Sequence, residues 1–351
     1  MTIIDQHIDD NFALYLGDSC QVVKELPDDS VDFGIHSPPF SNLYIYSDSE
    51  ADLGNCVDDA EFIRHYEYLI AEMFRITVSG RLCAVHCKDL PKYANRDDTA
   101  GLKDFPGMII SAFESYGWSY HSRVTIWKCP VVERERTNNN GLLHKTVLRD
   151  RSQLRQGMAD YLIVFRKPPA GTLMSAKPIC KYRDVANQLA DGSTFTESVP
   201  VGFEDFIGDE DPRLTEKHPS KYARGRNRSR GGQADSIDIW RRYAEPVWWD
   251  ISQTDVLNKK LARGDSDERH ICPLQLGLIE RAVSIWSLPG EVVFSPFAGI
   301  GSEGVGSIRH DRKFCGIELK REYWEAAIDN CKQAIRVSCQ SKRESLLPGF
   351  A

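Results

Sequence analysis

The sequence predicts an α/β fold, with helices covering both faces of a mostly parallel sheet. The first observation is that strand-like and helix-like segments alternate through residues 12–167 and 272–335, which is typical of a parallel sheet. The second is a glycine-rich loop between a predicted strand and a predicted helix at residues 291–304. The third is a predicted strand that ends at the consecutive Pro38 and Pro39. Because ligands of open α/β sheets bind at the carboxyl ends of the strands, both loops are candidate site loops.

The first half of the chain supplies most of the predicted strands. They are recognised by apolar alternation or by short apolar runs, and they are residues 12–19, 31–37, 81–88, 120–128 and 161–167. The predicted helices are 60–77, whose apolar residues fall on one stripe, and 106–117, which begins with proline and ends with glycine. The proline pair stops strand 31–37 at a rigid corner, because proline lacks an N–H for the sheet ladder.

The last part of the chain has the pattern of a nucleoside-binding unit. A helix is predicted at 272–290, then a strand, the glycine-rich loop and a helix start at 291–304, a strand at 312–319 and a helix at 320–335. Gly299 and Gly301 let the backbone approach a ligand, and the following helix N-terminus offers unpaired N–H groups. Glu318 ends the next strand about seventeen residues later, a position that typically binds ribose hydroxyls. The dinucleotide pattern G-x-G-x-x-G is imperfect, which favours a nucleoside cofactor other than NAD.

The alternation of strands and helices breaks between residues 169 and 265, which we interpret as an insertion. The net charge of the chain is −7, so contact with a polyanion requires a local basic patch. Phosphate contacts are favoured over a solvated loop for the basic run Lys221, Arg224, Arg226, Arg228 and Arg230. Trp248 and Trp249 are predicted to form core of the insertion rather than to stack on bases.

The composition is globular and disfavours a metal site or a membrane span. The 351 residues are 41% hydrophobic and 27% charged, enough for one large domain with an insertion or for two domains. The ten cysteines include no C-x-x-C pair, and alternation puts Cys83 and Cys87 on one strand face with His86 on the other. No apolar run approaches the ~20 residues of a membrane span, and the acidic first residues do not resemble a signal peptide. We therefore expect a reduced cytosolic protein.

Four motifs follow one another in an unusual order: LGDS at 16–19, SPPF at 37–40, FSPFAGIGSEG at 294–304 and GIEL at 316–319. In this order they resemble the S-adenosylmethionine-dependent DNA amino-methyltransferases of the permuted β class, the N6-adenine/N4-cytosine family. The resemblance covers nearly all of residues 12–335 except most of the insertion. The longer segment SPPFSNLYIYSDSEADLGN further resembles solitary and phage-type adenine methyltransferases.

The resemblance implies a Rossmann-like class I methyltransferase fold. Its sheet is mixed and seven-stranded, with helices on both faces, and the chain is circularly permuted with a target-recognition insertion. The expected parts are a catalytic half at 1–168, the target-recognition and DNA-binding insertion at 169–265, an S-adenosylmethionine-binding half at 266–340 and a tail at 341–351.

The same resemblance implies that Ser37, Pro38, Pro39 and Phe40 are catalytic. The lone pair of an exocyclic amino nitrogen is delocalised into its base. Ser37 Oγ and the Pro38 carbonyl, accepting hydrogen bonds from the two N–H groups, would localise that lone pair. The prolines hold both acceptors still, so little reorganisation is needed in the transition state. Phe40 would stack on a base turned out of the duplex.

The implied cofactor is S-adenosyl-L-methionine. Phe297, Gly299 and Gly301 would line its methionine and adenosine parts, Glu318 would hold the ribose, and Asp18 the adenine amino group. The full expected set is Asp18, Ser37, His270, Pro273, Ser295, Pro296, Phe297, Ala298, Gly299, Gly301, Ser302, Glu318 and Leu319. His270 is open between a place near the cofactor and a helix-capping role. Ser295 stands where the class usually has aspartate, and a neutral, shorter side chain is less suited to the cofactor's ammonium group.

The expected partner is double-stranded DNA, without a metal or a membrane, and a homodimer is plausible for palindromic sites. S-P-P-F is commonest in N4-cytosine enzymes, whereas the phage-type resemblance favours the N6 amino group of adenine. N4 of cytosine is the alternative. A catalytically inactive DNA-binding relative and a small-molecule or RNA methyltransferase are disfavoured by the intact motifs and the basic insertion. The expected location is the cytoplasm, for a protein that is prokaryotic or phage-encoded.

Overall fold

The computed structural model describes residues 3–40, 52–92, 99–137, 148, 156–170, 243–257 and 273–345 of the protein. The predicted basic run at 221–230 and His270 lie outside the described residues. Most of the predicted insertion lies outside them as well.

The described residues form eleven strands and seven α-helices. The strands are β1 Asp5–Ile8, β2 Phe12–Leu16, β3 Val31–His36, β4 Thr77–Lys88, β5 Leu90–Lys92, β6 Gly101–Lys103, β7 Ser119–Ile126, β8 Asp160–Arg166, β9 Val247–Trp248, β10 Val292–Ser295 and β11 Lys313–Glu318. The helices are α1 Ser19–Val22, α2 Asp59–Ile76, α3 Phe105–Ser115, α4 Pro130–Thr137, α5 Leu276–Trp286, α6 Ser302–Arg309 and α7 Arg321–Ser345. Two short 3₁₀ turns span Val23–Glu25 and Leu53–Asn55.

The main sheet has the order β1-β2-β11-β10-β3-β4-β8-β7-β9. The five adjacent strands β2, β11, β10, β3 and β4 are parallel to one another, whereas β1 is antiparallel to β2, and β8 is antiparallel to both β4 and β7. The prediction of a mixed sheet with helices is confirmed. Its seven predicted strands correspond to β2 through β7 in this order, and the described sheet has nine because β1 and β9 extend its two edges. The circular permutation, the domain boundaries and the homodimer stay predictions.

Local sequence explains the helices that flank the sheet. In α2, apolar residues at helical spacing are buried, and the carboxylate of Asp58 accepts a hydrogen bond from the Glu61 N–H as an N-cap. In α3, Asp104 caps the first turn by accepting from the Gly107 N–H, and Pro106 lies in that turn, where a missing N–H costs nothing. Among the helices that are described, none is long and apolar enough to cross a membrane.

Two hydrophobic clusters fill the two faces of the sheet. One contains side chains from α5, α6 and α7, and the other contains side chains from α2 and α3. Successive strand residues enter different clusters, as Val293 and Phe294 of β10 do, because side chains alternate across a strand. The sheet is therefore covered on both faces, as predicted.

Trp248 is a core residue, as predicted, but the core it joins is that of the main sheet. It lies in β9, which pairs with β7, and its ring centroid is 6.2 Å from that of Trp286 in α5. The Arg281 guanidinium lies over the Trp248 ring and is paired bidentately with Asp250. The prediction of a core position for Trp249 is wrong, because its side chain is 46% exposed. Residues 243–257, near the end of the predicted insertion, thus contribute to the sheet.

Candidate active site

A pocket of about 170 Å³ opens where β2, β3, β10 and β11 end. Parallel pairing aligns these ends, because β10 lies between β3 and β11 and pairs with both. The loop with Ser37–Phe40 after β3 and the loop with Pro296–Gly299 after β10 line the same pocket. Two motifs about 260 residues apart in the sequence therefore form one site.

Most of the predicted site residues line this pocket. They are Asp18, Ser37, Pro38, Pro39, Phe40, Pro273, Pro296, Phe297, Ala298, Gly299, Ser302, Glu318 and Leu319. Sequence analysis missed several further lining residues, namely Ser19, Cys20, Asp52, Leu53, Leu274, Ile300, Glu303, Lys320 and Tyr323. Two predicted residues, Ser295 and Gly301, do not line it.

Ser295 is the last residue of β10 and is fully buried. Its Oγ has no hydrogen-bond partner among the described residues. Ser295 is therefore placed in the interior next to the pocket and not in its lining, and its predicted contact with a cofactor stays a prediction.

Gly301 serves the loop through its backbone. It has φ 87°, in the left-handed region that favours glycine, and it is the N-cap of α6. A Cβ at this position would lie 3.0 Å from Ala327 Cα and 3.1 Å from Ala327 Cβ. Glycine thus permits both the turn and the close approach of α7, and the predicted contact of Gly301 with the cofactor stays a prediction.

Glu318 connects the two loops of the glycine-rich half. Its Oε2 accepts a hydrogen bond from the Gly299 N–H at 2.7 Å, and its Oε1 accepts one from the Lys320 N–H at 2.9 Å. Burial raises the pKa of Glu318 to about 7, although these backbone donors act in the opposite direction. The carboxylate therefore holds the loop and also lines the pocket.

Asp18 and Ser19 attach the end of β2 to the same region. The Asp18 carboxylate caps α1 by accepting from the Cys20 N–H at 2.9 Å, and Ser19 Oγ donates to the Pro296 carbonyl at 2.5 Å. Both residues line the pocket. The short LGDS motif thus positions one wall of it.

Ser37 faces a buried polar chain that sequence analysis did not predict. Ser37 Oγ lies 3.2 Å from the main-chain oxygen of His86 and 3.3 Å from His86 Nδ1. His86 Nε2 lies 3.1 Å from Asp160 Oδ2, and Lys128 Nζ lies 2.7 Å from the same oxygen. The alternation of β4 correctly predicted that His86 lies on the face opposite Cys83 and Cys87, but it gave no sign of these partners.

His36 is a packing residue. It is fully buried, with Nε2 2.6 Å from Tyr66 Oη and its ring centroid 5.8 Å from that of Phe297. Burial lowers the pKa of His36 to about 3, so the imidazole is neutral. Phe40 is held by an edge-to-face contact with Phe105 at 6.3 Å.

Glu303 is the unexpected buried acid of the site. It lies in the first turn of α6, is 4% exposed and lines the pocket. Burial, and then the charge of Glu318, raise the pKa of Glu303 to about 8. An acidic residue in a first helical turn is common because of the helix dipole, so the sequence signalled the position but not its burial.

The raised pKa of Glu303 predicts a loss of stability as the pH rises. The folded state binds more protons than the unfolded state between the ordinary glutamate pKa of 4.5 and about 8, so the free energy of unfolding falls through that window. We expect Glu303→Gln to match the wild-type melting temperature near pH 5 and to exceed it by several degrees at pH 8, in the absence of ligand. The raised pKa of Glu318 adds a further fall in melting temperature with pH, and this part is common to the wild type and the variant.

Thermal unfolding between pH 5 and pH 8 measures this difference. Glu322→Gln, at an exposed position of α7, is the matched control and should follow the wild type at every pH. Parallel curves for wild type and Glu303→Gln would show that Glu303 ionises normally in the folded protein.

Within the described residues, no group of three or more His, Cys, Asp or Glu side chains is arranged to hold a metal ion.

Comparison with known proteins places the whole arrangement in a family. The model of the DNA methylase family matches residues 31–329. Type II methyltransferase M.SfiI of Streptomyces fimbriatus is 26% identical over 138 residues, 35% of this chain and 32% of that protein. DNA adenine methyltransferase YhdJ of Escherichia coli K12 is 39% identical over 59 residues, 17% of this chain and 20% of YhdJ. The chain thus aligns with a third or less of the length of these curated relatives.

Solved structures share the fold over nearly the whole chain. TTHA0409 of Thermus thermophilus, in complex with S-adenosyl-L-methionine, matches with a TM-score of 0.56 and 17% identity over 97% of each chain. PvuII DNA methyltransferase, which is cytosine-N4-specific, matches with a TM-score of 0.54 and 13% identity over 96% of this chain and 95% of its own. These similarities confirm the predicted fold class.

Proposed function

Because this chain belongs to the DNA methylase family, whose model it matches over residues 31–329, we propose that it methylates an exocyclic amino group of a base in double-stranded DNA. The methyl donor in this proposal is S-adenosyl-L-methionine. The observation that carries it is the pocket lined by both Ser37–Phe40 and Pro296–Gly299. A binding module would have no need to bring these two loops together.

The described residues fit the proposed cofactor. Phe297 offers an apolar ring, Gly299 a close approach of the backbone, and Glu318 a half-buried carboxylate for two hydroxyl groups. Asp18, with its carboxylate beside the same pocket, suits an amino group. When bound, the cofactor supplies an electrophilic methyl group on a positively charged sulfonium, so no covalent enzyme intermediate is needed.

Ser37 and Pro38 would act on the target nitrogen. Two acceptors, Ser37 Oγ and the Pro38 carbonyl, would receive hydrogen bonds from its N–H groups and draw its lone pair out of the base. Both lie at a proline-stiffened corner after β3, which limits reorganisation. Phe40 lines the same pocket and would stack on the extruded base.

Within the amino-methyltransferases we propose N6 of adenine as the target. The similarity to the DNA adenine methyltransferase YhdJ supports this choice, together with the phage-type form of the segment after SPPF. N4 of cytosine is the second candidate, because S-P-P-F is commonest in N4-cytosine enzymes and the PvuII enzyme shares the fold.

Single-molecule sequencing of DNA tests both parts of the proposal. The protein is expressed in a host strain that lacks its own DNA methylation, with Ser37→Ala as the matched control. We expect N6-methyladenine at a defined sequence motif for the wild type and a strongly reduced fraction of methylated sites for the variant. N4-methylcytosine at a motif would select the second candidate, and unmodified DNA from cells with folded wild-type protein would reject the DNA function.

The basic run is proposed to contact the DNA backbone. Replacing Arg224, Arg226, Arg228 and Arg230 together with alanine is expected to weaken DNA binding and to lower the salt slope of log Kd by about three to four counterions. Cofactor affinity should not change. The control is the triple alanine variant of exposed Lys24, Lys313 and Arg336. An unaltered salt slope in the arginine variant would identify the run as a solvated loop.

A further inference from the structure

The hydroxyl of Ser37 is one end of a buried chain of polar groups that spans three strands of the sheet. His86 lies in β4, Asp160 begins β8, and Lys128 follows β7 by two residues. The contacts are 3.3 Å from Ser37 Oγ to His86 Nδ1, 3.1 Å from His86 Nε2 to Asp160 Oδ2 and 2.7 Å from Lys128 Nζ to Asp160 Oδ2. Ser37 lines the pocket, whereas His86, Asp160 and Lys128 do not. These three residues therefore act on a substrate through Ser37.

Asp160 is ionised in this chain. His86, Lys128 and Asp160 are 7%, 7% and 6% exposed, and a buried charge requires a partner of this kind. Burial alone raises the pKa of Asp160, but the His86 hydrogen bond and the Lys128 ammonium group outweigh burial and hold it well below its usual range. A carboxylate only accepts hydrogen bonds. The His86 nitrogen that faces it, Nε2, therefore carries the ring hydrogen.

This tautomer determines the direction of the Ser37 hydroxyl. With the hydrogen on Nε2, the neutral ring presents the Nδ1 lone pair to Ser37 Oγ. The other group beside Ser37 Oγ is the main-chain oxygen of His86, at 3.2 Å, which is also an acceptor. The Ser37 hydrogen therefore points towards His86, and the oxygen lone pairs are left for the pocket.

We propose that His86, held by Asp160 and Lys128, is a positioning residue that makes Ser37 a hydrogen-bond acceptor and then receives a proton through it. The inference rests on the proposed function. After methyl transfer the amino nitrogen carries one proton too many. Its N–H bond breaks and that proton passes to Ser37 Oγ, while the hydroxyl proton of Ser37 passes to His86 Nδ1. The resulting imidazolium is stabilised by Asp160, and the cofactor leaves as a neutral thioether.

A purely structural role makes a different prediction. An ion pair that only fastens β8 to the loop after β7 would affect the melting temperature, and its loss would add independently to the loss of Ser37. A role that runs through the Ser37 hydroxyl disappears once that hydroxyl is gone. The two roles are therefore separated by a double-mutant cycle.

The experiment measures the single-turnover rate of methyl transfer to a methylatable duplex at saturating cofactor. We expect His86→Ala to lower the rate about 100-fold and Ser37→Ala about 100- to 1,000-fold. The double variant should be within about threefold of Ser37→Ala alone. Cofactor affinity, measured by calorimetry, should be unchanged in all three proteins.

Asp160→Asn provides a second variant with nearly unchanged shape. Its amide can donate to His86 Nε2 and so favour the opposite tautomer; we expect the rate to fall about 10- to 100-fold, with cofactor affinity retained. Asp250→Asn, which breaks the Asp250–Arg281 ion pair on another part of the fold, is the control and should lower only the melting temperature.

Fully additive losses in the double variant, or a wild-type rate in folded Asp160→Asn, would overturn the inference. A wild-type protein that transfers no methyl group to any DNA would instead reject the proposed function on which it rests.

Discussion

Ser37→Ala is expected to lower the single-turnover rate of methyl transfer about 100- to 1,000-fold, the size of effect seen when one preorganised hydrogen-bonding partner is lost. The variant removes one of two acceptors and leaves the Pro38 carbonyl in place. Because the serine acts mainly on the transition state, binding of cofactor and DNA should survive. The backbone of the corner should also survive, since the two prolines and the pairing of β3 with β4 and β10 fix it.

The control for this variant is Ser37→Asp. An aspartate supplies a carboxylate oxygen as the acceptor, and the family that this chain resembles uses either residue at this position. We expect the aspartate variant to retain activity. Full activity in Ser37→Ala would mean that the Pro-Pro corner is only a turn after a strand.

Glu318→Ala is expected to raise the dissociation constant of S-adenosyl-L-methionine at least 100-fold. Hydrogen bonds to a charged group are worth about 1.5–3 kcal/mol each, and two hydroxyl contacts would reach this factor. The same change leaves the Gly299 and Lys320 N–H groups without the acceptor that now joins their loops. The loop should therefore lose its shape as well as its ligand contact.

Calorimetry at pH 8 measures this change, because the pKa of Glu318 is about 7 in the unliganded protein and the carboxylate is then mostly ionised. Glu318→Gln keeps the shape and one acceptor oxygen, so its affinity should lie between those of wild type and Glu318→Ala. Glu322→Ala, at an exposed site on α7, should bind as the wild type does. Equal affinities for wild type and Glu318→Ala would remove Glu318 from the cofactor site.

The sequence predicted the parts of the fold and site that depend on local pattern. Alternation predicted β3 and β4, helical periodicity predicted α2, and the spacing from Gly301 predicted the position of Glu318 at the end of β11. The strand β1 was missed because its residues are mostly polar and exposed, so it has no apolar alternation. Helix α7 extends ten residues past its predicted end at 335, to Ser345.

Contacts set by register were beyond sequence reasoning. His86 and Asp160 are 74 residues apart and meet because β4 and β8 pair antiparallel with Lys88 opposite Asp160. Moving that register by one residue would send one of the two side chains to the other face of the sheet. The burial of Glu303 was equally hidden, since it depends on how α6 packs against α7 and the loop after β11.

The edge strands bear on how two copies of the protein could associate. An exposed, regular edge strand invites another chain to extend the sheet, and natural proteins blunt such edges with charge or with very short strands. Here β1, which covers the apolar strand β2, is only four residues long, and its Asp5 is paired to Arg321. At the opposite rim, β9 is only two residues long. Both rims of the described sheet thus resist strand addition, so a homodimer would join through side chains on another surface and not by continuing the sheet from one subunit into the next.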